Sequence, residues 1–501
     1  LQNFLSVYLS SVAVDVSISV DPASPLGRID RRIYGQFIEH LGRCVYGGVW
    51  VGEGSRIPNE RGYRRDVLEA VRAIRPPLVR WPGGNFASNY HWMDGVGPRG
   101  RRPKRLDMAW GAVESNEFGT LEFLEWCRMV GAEPYLVVNA GNGSPEEAAR
   151  WVEFCNSPHE TSYTTLRSGA GYREPFNVKI WGVGNELYGD WQVGYCIDGK
   201  ECARRTIEFS NEMKKVDPKI EIVAVGCDSD MEWNIDMVRH AGRYFEYLSI
   251  HRYFFTRGVS YDDIVSEPFI WERMLRSIYD IVSTTSKRYG LKKEIRIAFD
   301  EWNLWYPEAT PPEHNQVTSL RDGVFTALVL NSLQRLCREV AIACFAQTVN
   351  VLPLIATDDA GRIYTNPQYL VFKLYAGTTQ EVAVRCLVDS PTFYSRRIGH
   401  SLGYCDAVAS VSNEGDTVSV QIVNASPTED ALCEIRFKNF EARESEASYV
   451  LGKSLEEKND FEGPDRVRIH AGRATVKGGV VEYVAPRHSI SSIVFKGVSR
   501  K

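Results

Sequence analysis

Between about residue 30 and residue 380, short β-rich runs alternate with amphipathic helical patterns, and the alternation recurs eight times. No other feature restricts the fold as strongly, because a chain that repeats strand and helix in this way builds a parallel sheet covered by helices. The first four runs are Arg32 to Phe37, Leu78 to Trp81, Tyr135 to Asn139 and Lys179 to Val183. The next four are Glu221 to Gly226, Tyr247 to His251, Ile295 to Phe299 and Val340 to Ala346. Between them, Tyr63 to Ile74 carries apolar residues at Val67, Leu68, Val71 and Ile74, and Thr120 to Val130 carries them at Leu121, Leu124, Cys127 and Val130, both at helical spacing. Ser144-Pro145-Glu146-Glu147 has the form of a helix start with proline in the first turn. Eight such units over about 350 residues predict an α/β fold, a (β/α)8 TIM barrel. An open doubly wound sheet competes, but it would carry a glycine-rich phosphate turn after its first strand, and Gly35-Gln36-Phe37 is not one.

Beyond about residue 380 the helical spacing stops and strict alternation takes over. Thr417 to Ile422, Cys433 to Phe437, Val480 to Val484 and Ser489 to Phe495 read as strands of a C-terminal all-β sandwich, jelly-roll-like in its turn spacing. Val12 to Val20 alternates in the same way ahead of the barrel, so the expected organisation is a strand segment at 1–27 joining the sandwich, a barrel at 28–380 and the sandwich at 381–501. Leu1 to Val14 is mildly apolar but lacks a basic leading region, which argues against a signal peptide. No run approaches the roughly 18 apolar residues of a membrane span. With Lys+Arg 59 against Asp+Glu 64 the net charge is -5, which offers no footprint for nucleic acid or an anionic membrane. Eleven cysteines without CxxC spacing read as buried small hydrophobes of a reducing compartment. Cys196 and Cys202 stand close enough in sequence to bridge, although the odd total argues against a disulfide framework. Histidine spacing supports no zinc site, and no cofactor is expected.

Two strands run into glutamates. Trp181-Gly182-Val183-Gly184-Asn185-Glu186 follows the fourth run, and Ala298-Phe299-Asp300-Glu301-Trp302-Asn303 follows the seventh. In a barrel the C-terminal strand ends share one cavity, so Glu186 and Glu301 are the candidate catalytic pair. Glycoside hydrolysis requires two such carboxyls, one to protonate the leaving oxygen and one to attack carbon or activate water. Trp181, Trp302 and Trp305 could supply aromatic faces for a sugar, and Asn185 and Asn303 amides for its hydroxyls. Other strand ends contribute Glu39, Arg80, Asn85, His251, Tyr253 and Gln347; His251 and Tyr253, two apart, share one face of an extended segment. Taken singly, each of these residues also has a structural reading as a barrel-end hydrogen bond or ion pair.

The stretches Ile33 to Arg43, Arg80-Trp81-Pro82-Gly83-Gly84-Asn85-Phe86, Asp94 to Pro98, Arg105 to Trp110, Gly184-Asn185-Glu186 and Asp300-Glu301-Trp302-Asn303 resemble, in the same order, the α-L-arabinofuranosidases of glycoside hydrolase family 51. The resemblance implies a retaining, metal-independent, exo-acting hydrolase with Glu186 as acid/base and Glu301 as nucleophile. It implies that Asn185 bonds the sugar 2-hydroxyl, that Tyr253 bonds Glu301, and that His251 lies close to Glu186. Glu39, Asn85 and Gln347 match positions that hold an arabinofuranose ring, and Trp110 matches a loop tryptophan lining the site. Gln36 departs from the pattern, standing where many members carry histidine, and the loop from Pro307 to Thr318 is shorter than in some relatives. Asp300 and Asp107 are read as scaffold acids. The expected substrates are arabinan, arabinoxylan or derived oligosaccharides. Members of the family are commonly homo-oligomers, often hexamers, and a cytoplasmic location would suit imported oligosaccharides. The alternatives are a β-xylosidase or endo-glucanase of the same clan, or a non-catalytic carbohydrate-binding protein.

Overall fold

A computed structural model describes residues 14–499. The leader-or-strand reading of residues 1–13, and residues 500–501 of the expected sandwich, lie outside the described residues. Eight parallel strands close into a barrel. In order they are Gly35–Phe37, Leu78–Trp81, Glu133–Val138, Ile180–Val183, Glu221–Val225, Tyr247–Phe255, Arg296–Trp305 and Val340–Ala346, each hydrogen-bonded to the next and the last to the first.

Three of the expected strands differ in extent, the sixth by continuing past His251 to Phe255. The first is shorter, because Asp30 accepts from the backbone of Arg32 and winds Arg31–Tyr34 into a 3-10 turn. The seventh runs past Phe299 as far as Trp305, so Glu301 lies inside a strand rather than at its end. Opposite the sixth strand the pairing passes from Ser249↔Ala298 to His251↔Glu301, and opposite the eighth from Phe299↔Ala343 to Trp302↔Phe345. Both steps give the seventh strand one residue more than its neighbour, which is a β-bulge.

Strand alternation decides which side chains fill the barrel. Phe37, Leu78, Tyr135, Val137, Ile180, Val223, Tyr247, Ala298 and Cys344 form an interior core, and the residues between them face the helices. That register corrects one expectation. Trp181 and Trp302 are fully buried in the helix layer, where Trp181 meets Trp151 and Trp302 meets Phe345 and Phe372, so neither faces a sugar. The helices Arg65–Ile74, Thr120–Val130 and Pro145–Asn156 turn their apolar stripes inward, the last capped by Ser144 on Glu147. Among the described residues no helix is long and apolar enough to cross a membrane. All eleven cysteines are free, including Cys196 and Cys202, and every one except Cys386 is buried.

The C-terminal residues form a ten-stranded, largely antiparallel sheet. Val14–Arg28 sits within it, antiparallel to Val382–Asp389 and parallel to Ala431–Phe437. Val16, Ile18 and Val20 enter one apolar core with Val420, Ile435, Tyr483 and Phe495 from strands far apart in the sheet order. Val423, Val450 and Ile490 instead join the cluster that includes the barrel's helices, and so fasten the sheet to the barrel.

Candidate active site

Above the apolar interior lies a layer of charge. Arg80, inward on the second strand and 1% exposed, rests its guanidinium 4.7 Å from the ring centre of Phe37. One Nη donates to Glu301 Oε1 at 2.6 Å and the other to Asn185 Oδ1 at 2.7 Å. Its Nε lies 3.6 Å from Asp300 Oδ2, which also accepts from Tyr135 at 2.7 Å. Strict alternation would send one of Asp300 and Glu301 outward; the bulge lets both point into the barrel. Burial would raise Asp300, but Arg80 and His251 outweigh it and bring the carboxyl down to about 2.

Glu186 reaches the same cavity from the fourth strand. The chain leaves Val183 through Gly184 at φ 81° and places Glu186 itself at φ 43°, a left-handed conformation that costs a non-glycine residue about 1–3 kcal/mol. Its Oε1 lies 2.9 Å from His251 Nδ1, and Glu301 Oε1 lies 3.6 Å from the same nitrogen. Burial lowers the His251 imidazole, but Glu301, Asp300 and Glu186 together push it up to about 10. Burial likewise works to raise Glu186, and the hydrogen bond and charge of His251 hold it below its ordinary value. Tyr253 donates to Glu301 Oε2 at 2.8 Å.

The remaining candidates close the walls. Glu39 Oε1 accepts from the backbone of Gly84 and Phe86 at 3.0 and 3.1 Å and from Trp110 Nε1 at 3.1 Å, while Oε2 accepts from Gln347 at 3.0 Å. Burial and the charge of Glu301 push this carboxyl up to about 7. Asn185 donates to Asn85 Oδ1 at 3.2 Å, and Gln192 donates to the same oxygen. Gly84 is required here: a Cβ would stand 2.8 Å from Glu301 Oε1 and 3.4 Å from Asn185 Nδ2. Asp107 accepts from the backbone of Ala109 and shapes the turn that presents Trp110. Trp305 packs edge-on against Tyr253, and His314 stands between Trp110 and Trp305.

Thus Glu39, Asn85, Trp110, Asn185, Glu186, His251, Tyr253, Glu301 and Gln347 belong to one connected set of hydrogen bonds, close charges and ring contacts. Sequence reasoning missed Tyr135, Ser249, Gln192 and Ser88. Tyr135 and Ser249 occupy inward register positions, Tyr135 directly beside Arg80, so alternation carried a signal for them. Gln192, fixed by Ser88 at 2.9 Å, sits in a loop with no such pattern. Glu186, His251 and Glu301 also form a group whose ligand atoms lie within 4.8 Å of one another. Each Glu301 oxygen already accepts one hydrogen bond, from Arg80 and from Tyr253, and the guanidinium would set its positive charge beside any cation bound there.

Two carboxyls whose oxygens lie within 4.8 Å of each other, with amides beside them, suit cleavage of an acetal, the chemistry of a glycoside hydrolase. One family model, described as alpha-L-arabinofuranosidase 1 domain, matches residues 70–262, and another, alpha-L-arabinofuranosidase C-terminal domain, matches residues 300–489. An intracellular exo-alpha-(1->5)-L-arabinofuranosidase of Halalkalibacterium halodurans is 34% identical over 446 residues, covering 86% of this chain and 89% of the relative. The alpha-L-arabinofuranosidase of Thermotoga maritima, solved as an arabinose complex, is 38% identical with a TM-score of 0.88, covering 96% of this chain and 100% of that one. A family 51 enzyme of Bifidobacterium longum gives a TM-score of 0.91 at 28% identity, covering 97% and 100% of the two chains. The chain belongs to the α-L-arabinofuranosidases of glycoside hydrolase family 51. It is an exo-acting glycoside hydrolase that releases arabinofuranosyl residues from arabinose-containing glycans. A bifunctional glucanase-xylanase from a metagenome library, at 13% identity and TM-score 0.62, shares only the fold.

Proposed function

We propose that the enzyme works by double displacement with retention, Glu301 attacking the anomeric carbon and Glu186 serving as acid and then base. One observation carries this reading: an oxygen of each glutamate lies within 4.8 Å of the other. Retaining enzymes hold their carboxyls about 5–5.5 Å apart, whereas inversion needs roughly 6.5–9.5 Å to admit water between them. The roles follow from the surroundings. Arg80 and Tyr253 donate to Glu301 and favour the anion that a nucleophile must be. Glu186 shares a proton with His251, which suits the group that gives and takes one.

In the first step the bond from the anomeric carbon to the glycosidic oxygen breaks, Glu301 bonds the carbon, and the pair Glu186–His251 delivers a proton to the departing oxygen. In the second, water attacks the ester and returns its proton to the pair. Asn185, held by Arg80 and Asn85, is aimed at the 2-hydroxyl, and Glu39, Asn85, Gln347 and Trp110 hold the furanose ring. The bacterial relatives' names support α-1,5-linked arabino-oligosaccharides as substrates and an intracellular location.

Glu301→Gln is expected to abolish turnover of an aryl α-L-arabinofuranoside, and a 2-fluoro sugar to leave a mass adduct on Glu301 in the wild type. Glu186→Ala is expected to slow poor leaving groups far more than good ones. NMR of the first-formed product should show the α anomer; initial release of the β anomer would overturn retention.

A further inference from the structure

Asp300 is 0% exposed beneath the two glutamates, and both of its oxygens are occupied. Tyr135 donates to Oδ2 at 2.7 Å and Ser249 to Oδ1 at 2.6 Å. Ser249 has one hydroxyl proton, and the ionised Asp300 takes it. The hydroxyl oxygen, 3.1 Å from His251 Nε2, can then only accept from that nitrogen. Nε2 therefore carries a hydrogen, with Asp300 Oδ1 itself 3.4 Å away and beyond a good hydrogen bond, and His251 turns Nδ1 toward Glu186 Oε1 at 2.9 Å.

With Nε2–H fixed, the Nδ1···Oε1 contact has two comfortable states, Glu186 protonated beside a neutral ring or Glu186 ionised beside imidazolium. Both hold one shared proton. Losing it would set the lone pair of Nδ1 against a carboxylate, and the ring cannot escape by moving its hydrogen from Nε2 to Nδ1 without abandoning Ser249 and Asp300.

We propose that Asp300, acting through Ser249, is a positioning residue that fixes the tautomer of His251 and thereby keeps the catalytic proton on the Glu186–His251 pair. The proposal rests on the acid/base reading of Glu186. Proton accounting is conserved: the pair gives one proton to the leaving oxygen in glycosylation and regains one from water in deglycosylation. The groups facing this relay are Glu186 and Tyr188 after the fourth strand, Glu301 on the seventh, Arg80 on the second, Tyr135 on the third, Tyr253 on the sixth, Cys344 on the eighth, and Glu39 after the first. None of the relay variants below replaces Arg80 or Glu301, which are 2.6 Å apart.

The test is the alkaline limb of kcat/KM, measured with an aryl arabinofuranoside whose poor leaving group needs the acid. Asp300→Asn and Ser249→Ala should each move that limb to lower pH, by about one to two units for the former and less for the latter, which keeps the Asp300 charge. Ser249→Thr, which retains the hydroxyl, should restore it. Nitrogen-15 NMR of the histidine-labelled wild type should show Nε2 of His251 protonated across the active range. An unmoved limb in folded Ser249→Ala, or an Nδ1–H tautomer in the wild type, would overturn the proposal, and Ser249→Ala decides the matter should Asp300→Asn not fold. Glu186→Ala separates the two ideas. If that variant shows no leaving-group dependence and no azide rescue, the acid/base reading fails; if it shows both while the limb of Ser249→Ala stays in place, only the relay fails.

Discussion

Arg80→Met removes the cation on which the buried acids of the barrel depend. The guanidinium lies 2.6 Å from Glu301 and 3.6 Å from Asp300 in a side chain 1% exposed, and methionine fills much of its length without charge. Deleting one partner of a buried ion pair costs about 3–5 kcal/mol. For a chain of 501 residues unfolding as one unit, an entropy of roughly 1 kcal/mol/K makes that a Tm loss of about 3–5 °C. The catalytic loss is of comparable size. The hydrogen bonds to Glu301 and Asn185, both to groups in the reacting cavity, are worth about 1.5–3 kcal/mol where charge-assisted. Losing one to both lowers kcat/KM by roughly ten- to ten-thousand-fold. The pH dependence has a definite sign. Asp300 is depressed from 3.8 to about 2, so it contributes stability above pH 4 that disappears as pH falls toward 2. Without Arg80 the Asp300 carboxyl moves up, so that contribution shrinks and stability falls less steeply with acid, while the acidic limb of kcat/KM shifts upward because one donor fewer favours the anion of Glu301. Arg80→Lys keeps the charge but not the fork that reaches Glu301 and Asn185 together, and should fall between wild type and methionine. Calorimetry and a pH series on an aryl arabinofuranoside measure both effects. A methionine variant with wild-type Tm, kcat/KM and acidic limb would refute the electrostatic role given to Arg80.

Glu39 is raised from 4.5 to about 7 by burial and Glu301, so its charge costs stability progressively as pH rises through that window, roughly 3 kcal/mol in full. Glu39→Gln should therefore gain Tm relative to wild type between pH 4.5 and 7, with Gln347, whose Oε1 is buried without a partner, turning its amide to meet the new donor; kcat/KM should nevertheless fall, and a Tm difference independent of pH would contradict the assignment. Deleting residues 14–28 removes a strand with neighbours on both sides, so the truncated chain should be recovered insoluble or without a cooperative melting transition. A soluble product melting like the full chain would show that the sheet closes without it.

The eight-strand count was legible because helix and strand periods differ and each βα unit repeats the contrast. The 3-10 turn at Arg31–Tyr34 was not, since a single capping contact from Asp30 overrode β-prone Ile33 and Tyr34. Nor was the bulge at Phe299–Glu301, because an inserted residue leaves composition unchanged and shows only against the neighbouring strands. The same blindness to register misassigned Trp181 and Trp302. Side chains alternate faces along a regular strand, so Trp181, next to the inward Ile180, and Trp302, next to Glu301, turn to the helices although both stand near a candidate glutamate in sequence. In the cavity, Glu186 and Glu301 announced themselves by following apolar runs. The relay of Tyr135, Ser249 and Asp300 joins three strands, and no local window contains it.

The place of Val14–Arg28 in the C-terminal sheet also sets a timetable for synthesis. This strand leaves the ribosome early, yet its two neighbours at Val382–Asp389 and Ala431–Phe437 come some hundreds of residues later. At about 5–20 residues per second the interval is roughly 20–80 s. Throughout it the nascent chain carries a strand whose Val16, Ile18 and Val20 have no core to enter, while the barrel's segments emerge behind it. A cell making this enzyme must keep that early strand from pairing elsewhere, a burden that falls on its chaperones and that a circular permutant starting near residue 380 would relieve.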